Sequence, residues 1–143
     1  MKDSRFHRCV NIDWLEVYAW EDNNRYPCNA EYFRRLGYFV TERPYGTRQY
    51  SEMFTIQDKY GEPMLEVRRN PFSADSSFTG LNERSCHLRF VNRYCYFDDC
   101  VRILADFMIM HEYELQRIYR IDIAYDFRAF DYGDDPERFI KRY

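Results

Sequence analysis

Glycine is scarce in this chain of 143 residues, and the five present stand apart at positions 37, 46, 61, 80 and 133. No glycine-rich loop can therefore cradle a phosphate, which excludes the common nucleotide-cofactor enzymes. Cysteine is equally sparse. Cys9, Cys28, Cys86, Cys95 and Cys100 are odd in number and contain no C-x-x-C pair, so neither a zinc ribbon nor a disulfide framework fits. They read as small buried hydrophobes. The three histidines, His7, His87 and His111, form no His-x-His or His-Glu-x-x-His unit, which argues against a zinc hydrolase. Long apolar runs are missing too: the longest, residues 103–110, is interrupted by Asp106, and a membrane span needs about 20 apolar residues. The charged opening Met1-Lys2-Asp3-Ser4-Arg5 has no apolar stretch behind it, so no secretory signal is expected. The expected setting is cytoplasmic, with no membrane partner.

Aromatic residues are abundant, at 20%, from 14 Tyr, 12 Phe and 2 Trp. With 45% hydrophobic and 31% charged residues, the composition is that of one folded domain with a real core, not a disordered chain. The net charge of -3 sets it apart from basic proteins that coat nucleic acid. The cations are nevertheless 18 Arg against 3 Lys. Arginine suits bidentate contact with phosphate or carboxylate and stacking on rings, although an arginine-preferring genome produces the same count.

Periodicity predicts a strand over 10–20 with a bulge, a short helix over 30–36 capped by Asn29 and stopped by Gly37, and a strand over 38–43. Strands over 48–57 and 63–70 flank a hairpin loop at Asp58-Lys59-Tyr60-Gly61. A long loop over 71–82 precedes a strand over 86–91. Asp98 or Asp99 opens the strongest helix, carried to about Gln116 by Val101, Leu104, Ala105, Met108, Glu112 and Leu115. A strand over 118–127 follows, and Asp135-Pro136 opens a further helix that reads as interrupted, as in the N-terminal part of a longer protein. The order β-α-β-β-β-β-α-β predicts an α+β fold over residues 1–143, with a mostly antiparallel sheet, helices packed on one face and the other face open.

Alternation sorts each strand into a core side and an open side. Leu65 and Val67 leave Glu66 and Arg68 open. Cys86, Leu88 and Phe90 leave His87 and Arg89 open, while Ile121, Ile123, Tyr125 and Phe127 leave Asp122, Ala124 and Asp126 open. Carboxylates from adjacent strands can hold Mg²⁺ or Mn²⁺, and arginines beside them can take phosphate oxygens. Asp122 and Asp126 stand about 13 Å apart along one extended strand, so a metal site would pair one of them with Glu66. Alternating charge also serves solubility and cross-strand pairing on an open sheet. Tyr50, Phe54, Phe90, Phe107, Tyr125 and Phe127 sort to the core, and the aromatic surplus fits a base-stacking or partner surface. The run Asp131-Tyr132-Gly133-Asp134-Asp135 lacks the glutamate of a calcium loop and reads as a surface turn.

Three segments carry a family resemblance: Val10-Asn11-Ile12-Asp13-Trp14-Leu15-Glu16, Met64-Leu65-Glu66-Val67-Arg68-Arg69-Asn70-Pro71, and Tyr119-Arg120-Ile121-Asp122-Ile123-Ala124-Tyr125-Asp126-Phe127. They resemble the N-terminal part of Rep-trans replication initiation factors, the rolling-circle initiators of phages, plasmids and integrative elements. The last segment is similar to that family's Arg-(Ile/Leu)-Asp-(Ile/Leu)-Ala-x-Asp strand. The resemblance implies a curved antiparallel sheet backed by helices, of the TATA-binding-protein-like kind, and a metal-dependent endonuclease that nicks an origin through a tyrosine. It implies Glu66, Asp122 and Asp126 as ligands of Mg²⁺ or Mn²⁺, and Arg68 and Arg69 near the scissile phosphate. His87 and Arg89 complete the expected DNA contacts, to an origin in single-stranded or hairpin form. The family's nucleophilic tyrosine lies well downstream of the acidic strand, so it is expected outside this chain. The alternative is a non-catalytic module whose open charged and aromatic face binds a protein or forms a homodimer.

Overall fold

Six strands join into one curved antiparallel sheet of order β2-β3-β4-β5-β1-β6. The strands are β1 (His7–Glu21), β2 (Phe39–Arg43), β3 (Tyr50–Gln57), β4 (Pro63–Pro71), β5 (Ser85–Phe90) and β6 (Tyr113–Arg128), with helices α1 (Ala30–Arg35), α2 (Asn92–Cys95) and α3 (Cys100–Met110). The computed structural model describes residues 7–22, 27–72, 81–97 and 99–128, and for residues 7–10, 92 and 125–128 the backbone alone. The α+β architecture with helices on one face is the expected one. Strands β2 to β5 run as a meander, and β1 inserts between β5 and β6. The β3–β4 hairpin turns where expected, with the Asp58 carboxylate accepting from the backbone N–H of Tyr60 and Glu62 at 2.8 and 3.0 Å. Before β3, Gly46 has φ +63, and a Cβ there would lie 2.5 Å from the carbonyl oxygens of Tyr50 and Ser51. Only glycine fits that approach.

Period-2 alternation places Leu15, Val17, Phe54, Ile56, Leu65, Val67, Leu88 and Phe90 on one face, all buried. Phe33 of α1 and Leu104, Phe107 and Met108 of α3 pack on that face and complete the core. The rings of Phe33 and Phe107 stack at 5.7 Å. Cys28, Cys86, Cys95 and Cys100 are buried free thiols, as read from the sequence.

Two expectations need correction. The strongest helix stops at Met110 instead of Gln116, because Glu112 takes a positive φ of 58 and Tyr113, Glu114 and Leu115 pair with Glu21, Trp20 and Ala19 of β1. Pairing with β1 engages the backbone of 113–115 in the sheet, and the helical spacing of Glu112 and Leu115 is incidental. On β6, Ile121 and Ile123, expected in the core, are 42% and 67% exposed. β6 is the outer strand of the described sheet, with a neighbouring strand on one side only. The short helix α2 was not anticipated from the pattern, and the expected helix from Asp135 lies outside the described residues. Among the described residues no helix is long and apolar enough to cross a membrane.

Candidate functional site

Among the described residues no helix covers the other face of the sheet, and this helix-free face is laid out by register. Thr55, Glu66, Arg89, Glu16 and Arg120 stand in one row across β3, β4, β5, β1 and β6, and Met53, Arg68, His87, Tyr18 and Arg117 form the next. Glu66, Arg68, His87, Arg89 and Asp122 thus share a face, as alternation predicted. Arg69 does not. It pairs with Cys86 on the helix side, and its guanidinium is held by Glu21 and Glu52.

Opposite charges alternate along the first row. Glu66 Oε2 accepts from Arg68 Nη2 at 3.4 Å and from Arg89 Nη1 at 3.3 Å. Arg120 donates to Asp122 through Nε at 3.1 Å and Nη2 at 2.7 Å, and this bidentate contact holds the Asp122 carboxyl below the usual carboxylate range. Both guanidinium groups also reach Trp14, Arg89 with Cζ 3.8 Å and Arg120 with Cζ 4.3 Å from the ring centroid. An indole between two cations is attractive because the ring face is electron-rich.

The second row is aromatic. Tyr18, His87 and Tyr119 form a ring triangle with centroid distances of 4.9, 5.2 and 5.2 Å, and Arg117 Cζ lies 4.8 Å over Tyr18. A bulge between the pairs Glu16–Arg120 and Val17–Ile118 leaves Tyr119 as the extra residue of β6. That extra residue reaches His87 and Tyr18 on this face. Tyr50, expected in the core, is buried with its ring 6.4 Å from His87. His87 Nε2 stands 3.7 Å from Glu16 Oε1. Burial lowers the His87 pKa against the pull of Glu16, so the ring is neutral at neutral pH. The Trp14 indole Nε1, the Tyr50 hydroxyl, Arg68 Nη1 and His87 Nε2 are buried without a hydrogen-bond partner among the described residues.

Two of the expected metal ligands, Glu66 and Asp122, do not come together. β5 and β1 lie between β4 and β6, so Glu66 and Asp122 are three strand spacings apart, roughly 14 Å. Each carboxylate is already engaged by arginine, and the side chain of Asp126 lies outside the described residues. Among the described residues no group of three His, Cys, Asp or Glu side chains could hold a metal ion. So separated and so paired, Glu66 and Asp122 do not fit a single divalent cation.

Sequence reasoning passed over Trp14, Glu16, Tyr18, Arg117, Tyr119 and Arg120. Trp14, Glu16, Tyr18 and Trp20 do alternate along β1, and that signal was hidden by the apolar residues of the same stretch. Tyr119 could not be found by alternation, because the bulge inverts its parity. Comparison of the chain with protein-family models, curated proteins and solved structures returned no match.

Proposed function

We propose that this chain is the DNA-binding domain of a rolling-circle replication initiator, with the helix-free sheet face as the surface for single-stranded or hairpin DNA. The observation that carries this reading is the interleaving of arginine and ring on that face: Arg89 and Arg120 on Trp14, and Arg117 on Tyr18. Sequence-tolerant binding of unpaired bases uses this pairing of stacking platforms with phosphate-seeking cations. The motif resemblance of 64–71 and 119–127 supports the narrower assignment to initiators. Among the described residues register places Arg43, Arg68, Arg89, Arg117 and Arg120 on this face against Glu16, Glu66, Glu114 and Asp122, which supports a small local positive excess within an acidic chain.

The test is binding of a fluorescently labelled oligonucleotide across a salt series. Wild type binds at low salt, with log affinity falling linearly in log salt, and Arg89→Ala with Arg120→Ala weakens binding by removing the guanidinium groups that pack on Trp14. Absence of binding at low salt would overturn the reading.

A second reading is favoured by a separate surface. Leu115, Ile118, Ile121 and Ile123 of β6 and Ile109 of α3 are exposed apolar side chains, and an apolar strip on an edge strand supports a protein partner or a homodimer. Sedimentation equilibrium separates the two: self-association removed by Ile118→Lys favours the module.

A further inference from the structure

We propose that the groove between Tyr18, Trp20 and Arg117 is a subsite for one nucleotide of single-stranded DNA, with its base against the aromatic side chains and its phosphate on Arg117. The inference rests on the reading of the sheet face as a DNA surface and adds to it a defined position. The groove has a volume of about 360 Å³ and is lined by Tyr18, Trp20, Gln49, Ser85, Gln116 and Arg117, among others. This is within the range of small-ligand clefts.

Charge selects the ligand. Arg68, Arg89 and Arg120 are each paired with a carboxylate. Arg117 has no carboxylate within ion-pair distance among the described residues, and its guanidinium lies over the Tyr18 ring. Among the described residues it is a cation of the face with a ring behind it and no carboxylate in front, and a phosphodiester supplies that anion with matching geometry.

The lining selects the other half. Tyr18 and Trp20 follow one another at period 2 on β1, so both stand on the same side of the sheet at one end of the strand. Arg117 Cζ already lies 4.8 Å over the Tyr18 ring and Arg84 Cζ 5.6 Å over the Trp20 ring, and a planar base stacks on such guanidinium–ring pairs. The amides of Gln49 and Gln116 each offer a donor and an acceptor, which suits the polar edge of a base better than an aliphatic side chain. The Ser85 hydroxyl is engaged with Asn82.

The test uses the full chain and a twelve-residue oligothymidine with one 5-iododeoxyuridine. Ultraviolet irradiation is followed by mass spectrometry of the adducts, and binding is measured in parallel for Tyr18→Leu, Arg117→Ala and Arg117→Lys. The expected adduct is on Tyr18 or Trp20. Tyr18→Leu weakens binding about tenfold, the effect of one stacked base. Arg117→Ala lowers the salt slope by about 0.7, one single-strand phosphate contact, while Arg117→Lys keeps it. Circular dichroism confirms that each variant is folded, and Arg117→Ala, at an exposed position, keeps the test valid if Tyr18→Leu does not fold. Adducts confined to Trp14 or Tyr119, with binding indifferent to Arg117→Ala, would overturn the subsite and leave the DNA reading standing. Failure of wild type to bind the oligonucleotide would overturn both.

Discussion

Arg69 holds Glu21 bidentately across an intervening strand, with Nε 2.6 Å from Oε1 and Nη2 3.0 Å from Oε2. The pair spans from β4 to β1 over β5, on the side where the helices pack, and Glu52 of β3 closes it from the other direction. Burial alone would lower the Arg69 pKa, but the Glu21 and Glu52 carboxylates outweigh it and push the value up. Both side chains of the Arg69–Glu21 pair are almost buried, at 14% and 10% exposure. Removing one partner leaves an uncompensated charge. Arg69→Ala is expected to cost about 3 kcal/mol and to lower Tm by roughly 9 °C. Oligonucleotide binding by the folded variant stays unchanged, since Arg69 faces away from the proposed DNA surface. Thermal denaturation with parallel binding checks both halves, and weakened binding with unchanged Tm would contradict the placement.

His111 predicts an acid sensitivity. It is buried where α3 meets β6, with Tyr32 Oη 3.1 Å from Nδ1 and Tyr38 Oη 3.4 Å from Nε2, and burial lowers its pKa. A base with a lower pKa folded than unfolded binds fewer protons in the folded state, so acid favours unfolding. Stability is full above the ordinary histidine range near 6.5, and falls as pH drops below it until the folded imidazole protonates. His87, also lowered by burial, acts in the same direction. Urea midpoints at pH 7.5 and 5.5 are expected to differ, and the difference shrinks in His111→Gln. An imidazole resonance of His111 titrating at or above 6.5 would contradict this.

The buried thiols predict inertness. Burial pushes Cys28 up to about 12 and Cys95 up to about 11, and raises Cys86 and Cys100 as well. The thiolate is the reactive form, so in a Cys9→Ser variant none of the four reacts with Ellman's reagent at pH 8 until the chain is unfolded. Rapid release of one equivalent from the folded protein would show an exposed thiol.

Divalent metal gives a fourth outcome. With Glu66 engaged by Arg68 and Arg89, and Asp122 by Arg120, millimolar Mn²⁺ is expected to leave Tm unchanged, because a ligand stabilises only a fold that presents its site. A rise in Tm that Glu66→Gln or Asp126→Asn abolishes would establish a metal site after all.

The parity of each strand was legible in the residues. Leu65 and Val67 against Glu66 and Arg68, and Leu88 and Phe90 against His87 and Arg89, separate by alternation alone, and the α+β arrangement follows from the order of these elements. Strand adjacency was not legible. Nothing local in 113–128 tells that its partner is β1, or that β5 and β1 stand between Glu66 and Asp122. The end of α3 is not legible for the same reason, since pairing with a strand about ninety residues away competes with helical spacing and wins.

Local chemistry thus determined which residues form strands, which faces are apolar, and that arginine and aromatic residues would share a surface, because side-chain alternation and turn chemistry act over a few residues. Tertiary structure alone decided which of those residues meet. Long-range pairing set Arg89 and Arg120 on either flank of Trp14, turned Tyr119 toward His87 through a bulge, and drew Arg69 away to Glu21. Register is a property of two strands at once, and it is fixed by burial and hydrogen bonding across the whole sheet.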